Sequence, residues 1–145
     1  MKNRIATSII SLVLGALAIN GVAFAHGAEK HGKTTAADAQ MKKLHDMMPM
    51  FSEATAKLEA ALEKGDAAEA EAEAGKISAA VPELRKSKSH KHIKQRKLFV
   101  EQAGSLGAAA ASTAALVKKG DFAGAKAAYK KIEEACATCH AKFRD

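Results

Sequence analysis

Cys136 and Cys139 stand two residues apart near the end of the 145-residue chain, and His140 follows the second of them directly. Thiols at this spacing can add across two vinyl groups on one edge of a porphyrin as thioethers, and the adjoining imidazole then reaches the iron from the proximal side. The pattern therefore points to one covalently held haem c, with His140 as the fixed axial ligand. Other chemistry for the same cysteines finds no support in the chain. A redox dithiol expects a βαβ neighbourhood, and a zinc site expects a second pair of ligands. No further cysteine exists, and a disulfide between these two would close a ring too small to remove much chain entropy.

The elements that must position these residues are helices. Glycine and proline are sparse (ten and two), tryptophan is absent, and alanine, lysine and glutamate dominate, a composition that favours helix and an all-α fold. The segment leading to the motif has the cleanest apolar stripe: Phe122, Ala125, Tyr129, Ile132, Cys136, Cys139 and Phe143. Both cysteines thus fall on the buried face of a final helix. A first helix is expected from about Ala36 to Lys64, with Met41, Leu44, Met48, Phe51, Thr55, Leu58 and Leu62 on its stripe. Pro49 lies inside it and should bend it or mark its true start. A second helix carries Ala70, Ala74, Ile77, Val81 and Leu84, with Pro82 bending or ending it. A third, from about His92 to Lys119, places Ile93, Val100, Ala103, Gly107, Ala110, Ala114 and Val117 on its stripe.

Lys64-Gly65-Asp66 and Lys119-Gly120-Asp121 are repeated punctuation, a glycine stop followed by an aspartate cap. Two short reversals among four amphipathic segments predict an antiparallel up-down-up-down four-helix bundle over residues 36–145. In that topology the end of the last helix lies beside the beginning of the first. His140 is ~28 Å below Asp121 at 1.5 Å per residue, and the same descent from Asp66 reaches Met47 and Met48. The haem is expected between His140 and the first half of the first helix.

Residues 1–25 read as a secretory signal peptide: Lys2 and Arg4, an apolar run Ile9 to Ile19, and a cleavage site after Ala23-Phe24-Ala25. Residues 26–35 read as a flexible leader. The apolar run is short for a membrane span, so the product is expected in the periplasm, not embedded in a membrane. After removal of Lys2 and Arg4, 21 basic side chains remain against 16 acidic ones, a formal charge of +5. Seven of the basic residues lie between Arg85 and Lys97, together with His90 and His92. The absence of interleaved aromatics in an exported chain argues against a nucleic-acid arm. The run reads first as a solvated connection and second as a docking patch for an acidic redox partner.

Taken together, the signal peptide, the four helices and Cys-x-x-Cys-His-x-x-Phe-Arg at residues 136–144 resemble the class II c-type cytochromes, the cytochrome c-prime family and its low-spin relatives. The likeness is close over residues 120–144 and loose over the rest of the mature chain. It implies haem c on Cys136 and Cys139, iron on His140, and Arg144 beside the haem one turn later. It also implies a homodimer through the first two helices. Members of the family differ in what the first helix offers the iron: a methionine in low-spin electron carriers, a non-ligating residue in high-spin proteins that take up NO or CO. Here that helix offers Met41, His45, Met47, Met48 and Met50. Met48 is the leading distal ligand, being on the stripe and at the counted level; Met41 is the second, on the stripe but two turns lower. The expected function is electron transfer without catalytic turnover. The alternatives are a five-coordinate NO- or CO-binding cytochrome c-prime and, from another class, a periplasmic bundle binding metal through methionine and histidine, which leaves the cysteine motif unexplained.

Overall fold

The computed structural model describes residues 36–144; the expected signal peptide 1–25 and leader 26–35 lie outside the described residues. The chain forms α1 (Ala36–Lys64), α2 (Ala67–Lys86), α3 (Arg96–Lys118) and α4 (Phe122–Phe143), with a single 3-10 turn, Ile93–Gln95, ahead of α3. Among the described residues there is no strand, and no helix is long and apolar enough to cross a membrane. The expected antiparallel four-helix bundle is the observed architecture.

The two glycine–aspartate signals act as expected, and the reason is visible in the backbone. Gly65 and Gly120 adopt φ of 71° and 72°, left-handed conformations that cost little only without a side chain. The N–H of the next residue then turns back to the last helical turn: Asp66 to the Ala61 carbonyl (2.9 Å) and Asp121 to that of Leu116 (3.0 Å), the six-to-one bond of a Schellman ending. Each aspartate goes on to cap the following helix. Its carboxylate accepts from the Glu69 N–H (3.1 Å) or the Gly124 N–H (2.8 Å), next to the positive end of the helix dipole.

Phe51, Leu58 and Leu62 of α1, Ile77, Val81 and Leu84 of α2, and Tyr129, Ile132 and Phe143 of α4 meet in one core. Alanines fill much of the remainder, which brings the helices close. At Gly107 of α3, an added Cβ would stand 3.2 Å from the Val81 side chain. Both prolines are accommodated without ending a helix: α1 runs through Pro49, and α2 continues four residues beyond Pro82. Both rings are on the exposed side, so the missing N–H opens the helix toward water.

Two expectations are corrected. The buried stripe of α3 is Phe99, Ala103, Leu106, Ala110, Thr113 and Val117; Val100, Gly107 and Ala114 flank it, and Ile93 is 51% exposed. The cause lies before the helix: His92 takes a left-handed φ of 54°, which ends any continuous register, and α3 begins only at Arg96. The basic run is also not simply a solvated connection. Ser87 and Ser89 are buried, their hydroxyls donating to the carbonyls of Leu84 (2.7 Å) and Lys91 (2.9 Å). The Arg96 guanidinium donates to the carbonyls of Ser87 and Arg85, and the Lys91 N–H meets the Phe143 carbonyl at 3.5 Å. The α2–α3 connection is therefore fastened to the end of α4, with its lysines pointing outward.

Candidate haem site

Of the helix pairs that are neighbours in the bundle, α1 and α4 are the most loosely packed. A cavity of about 930 Å³ opens between them and is closed below by α2 and α3. Its volume lies at the upper end for pockets that enclose a cofactor. From α4 the walls receive Tyr129, Cys136, Cys139, His140, Phe143 and, just past the helix, Arg144; from α1 they receive Leu44, His45, Met48, Phe51 and Thr55. Phe99 and Leu106 of α3 and Leu84 of α2 form the apolar floor. The Tyr129 hydroxyl reaches the Thr55 carbonyl across the gap at 3.5 Å.

The two cysteines sit on the inner side of α4, one turn apart, half-buried and unpaired by any disulfide. Burial pushes both thiols above their ordinary pKa; Glu133 adds to the effect at Cys136, and Cys136 adds to it at Cys139. They are protonated at neutral pH, not the activated thiolates of a redox pair. His140 is at the rim and more exposed. Partial burial and then the Arg144 charge lower its pKa, which favours the neutral imidazole with a lone pair free for a metal. The Tyr129 hydroxyl is held neutral by burial and by nearby carboxylates. An apolar cavity edged by two thiols and a neutral imidazole fits a covalently anchored haem: Cys136 and Cys139 would hold it, and His140 would take the iron.

Of the five candidates on α1, Met48 and His45 line this cavity; Met41, Met47 and Met50 do not. Met47 and Met50 pack against the core elsewhere, and Met41 is half-buried toward the start of the helix. Arg144 lies at the rim as the resemblance implies, its N–H bonded to the His140 carbonyl (3.1 Å). Phe99, Leu106 and His90 are among the wall residues that the sequence reading does not single out. Phe99 and Leu106 were hidden by the wrong phase for α3, although Phe99 is that helix's only aromatic residue. His90 was absorbed into the basic run, where nothing local marks it as facing a cavity.

The family model described as Cytochrome C' matches residues 83–144, from the last turn of α2 through α3 and α4. The comparisons with curated proteins and with solved structures returned no match. The matched segment contains Cys136, Cys139 and His140, and it folds as half of a four-helix bundle with these residues on a cavity. By this match residues 83–144, with Cys136, Cys139 and His140 among them, are similar to the cytochrome c-prime family of haem-binding, c-type cytochromes.

Proposed function

We propose that this cytochrome carries electrons in the periplasm through a single haem c, with His140 and Met48 as the two axial ligands and with no catalytic turnover. The observation that carries the reading is the position of Met48: it shares one cavity with Cys136, Cys139 and His140, while Met41, Met47 and Met50 are outside it. When bound, haem supplies a one-electron iron couple whose potential the axial ligands set. Cys136 and Cys139 would anchor its edge to α4, so that His140 is fixed in position by the helix one residue later. Leu44, Phe51, Phe99 and Phe143 keep water from the cavity floor. Two ligands supplied by two helices of one rigid bundle would keep the coordination the same in both oxidation states, which suits transfer without chemistry.

The test is the absorption spectrum of the purified protein. A low-spin ferric form with the weak near-infrared methionine-to-iron band, lost in Met48→Ala and kept in Met41→Ala, is the expected result. A high-spin ferric spectrum with rapid CO uptake by the ferrous form would refute electron transfer through Met48 and favour gas binding. The exposed lysines of the α2–α3 connection, Lys91 and Lys94, make the partner an acidic protein. Its association should slow as ionic strength rises and lose that dependence when both are neutralised.

A further inference from the structure

His45 and His90 are 45 residues apart and meet at the mouth of the haem cavity. Their ring centroids are 4.5 Å apart with planes tilted by 39°, and the two Nε2 atoms face each other directly. We propose that this pair is a second metal site, taking one divalent cation of the Cu(II) or Zn(II) class between the two Nε2 atoms.

The backbone prearranges the pair. His45 projects from α1 one turn before Pro49. His90 belongs to the connection held by buried Ser87 and Ser89, by the Arg96 guanidinium and by the Lys91 bond to Phe143. Two elements distant in sequence thus deliver two imidazoles to one point. Two neutral imidazoles that meet Nε2 to Nε2 can satisfy each other only if one is a donor and the other an acceptor, whereas a cation accepts both lone pairs. Imidazole nitrogens bind zinc at about 2.0–2.1 Å, so two of them on one tetrahedral ion stand roughly 3.3 Å apart. A small separation of the rings admits it.

Local charge selects the class of ion. Lys42 is paired with Asp46 at 2.7 Å, and Lys43 and Lys86 share Glu83, so these three lysines keep a net charge of only +1. Lys88 and Lys91 flank His90 in sequence and repel a cation, so the affinity must come from the nitrogen donors. That favours Cu(II) and Zn(II) over Mg(II) and Ca(II), which prefer oxygen. Among the described residues there is no group of three or more His, Cys, Asp or Glu that could hold a metal; water would complete the coordination. The pair lines the same cavity as Cys136, Cys139 and His140, so the haem bands are followed in the test to tell a second metal from a ligand to the iron.

The experiment is titration of the untagged, haem-loaded protein with Cu(II) chloride, followed by electron paramagnetic resonance, in four backgrounds: His45→Ala, His90→Ala, His92→Ala and the double change His26→Ala with His31→Ala. The expected result is one Cu(II) with two nitrogen donors. His45→Ala and His90→Ala each weaken it by at least ~10-fold, and the other two backgrounds keep it. Binding unchanged in His45→Ala and His90→Ala, or lost with His26 and His31, overturns the assignment. So does a change of the haem bands in His45→Ala, because His45 would then serve the iron.

Discussion

Phe143 closes the haem motif, and its removal should be costly in a way that can be apportioned. The side chain is 3% exposed and stands edge-on to Phe99 with ring centroids 5.3 Å apart. A second edge contact to His92, at 6.5 Å, reaches the α2–α3 connection. Truncating a buried phenylalanine to alanine costs about 3–5 kcal/mol through lost transfer energy and the cavity left behind. The aromatic pair with Phe99 accounts for about 0.5–1.5 kcal/mol of that. Against a total stability of about 5–15 kcal/mol for a domain, Phe143→Ala is a severe change. Urea unfolding of the haem-loaded protein should show the drop in midpoint with little change in slope. A double-mutant cycle with Phe99→Leu should return a coupling within the aromatic range. Hydrogen exchange should show residues 87–92 losing protection, since the His92 edge contact goes with the ring and leaves only the Lys91 N–H bond to the residue 143 carbonyl. A loss below ~1 kcal/mol, or zero coupling to Phe99, would refute the argument that this ring locks the end of α4 to the connection.

Two further outcomes follow from other parts of the molecule. In a host with a c-type maturation system, acid-acetone treatment should leave the haem on the protein, and Cys136→Ala with Cys139→Ala should release it; extraction from the unaltered protein would refute covalent attachment. Glu83 bridges Lys43 of α1 and Lys86 of α2, and hydrogen bonds first from Lys43 and then from Lys86 lower its pKa from 4.5 to about 2. A lowered folded-state pKa means a contribution fully present above 4.5 and lost as the pH falls toward 2. The stability difference between wild type and Glu83→Gln should therefore be constant near neutral pH and vanish across that acid window. A difference that persists at the acid end would show that the carboxylate charge is not its source.

What could be read from the chain depended on whether the signal was local. The reversals at Gly65 and Gly120 need only a glycine that tolerates left-handed backbone and an aspartate that caps, so the three residues Lys-Gly-Asp announce each of them. The stripes of α1, α2 and α4 keep a fixed period, and the expected residues face inward, with Met41, Met48, Thr55, Phe122, Cys136 and Cys139 half-buried and the rest buried. In α3 the run from Ala108 to Ala111, with Ala114 and Ala115, presents a small apolar residue on nearly every side. A stripe one position out of phase then fits almost as well, and only packing against Val81 and Phe143 decides between them. The α2–α3 connection failed for a different reason. Its lysines do face water, as their type suggests, but Ser87, Ser89 and the Arg96 guanidinium fasten the backbone beneath them, and no one-dimensional pattern reports a backbone bond to the far end of α4.

The two sides of the haem cavity are encoded differently, and this bears on how the distal side should be tested. Cys136, Cys139, His140, Phe143 and Arg144 fall within nine residues at the end of α4 and its C-cap, so the side of the cavity they form is specified by a local motif and is contained in the segment that matches the family. The distal side comes from α1, which lies outside that segment. Met48 reaches the cavity only because α1 and α4 start their descents from equivalent turns at Asp66 and Asp121. One residue inserted between Asp66 and Met48 would rotate the face of α1 by about 100° and shift it by about 1.5 Å, without touching the motif. The proposed chemistry at Cys136, Cys139 and His140 would therefore persist while a ligand from α1 changed, so spectra that report His140 and thioethers would say nothing about Met48. Only a readout specific to the methionine–iron bond tests the distal assignment.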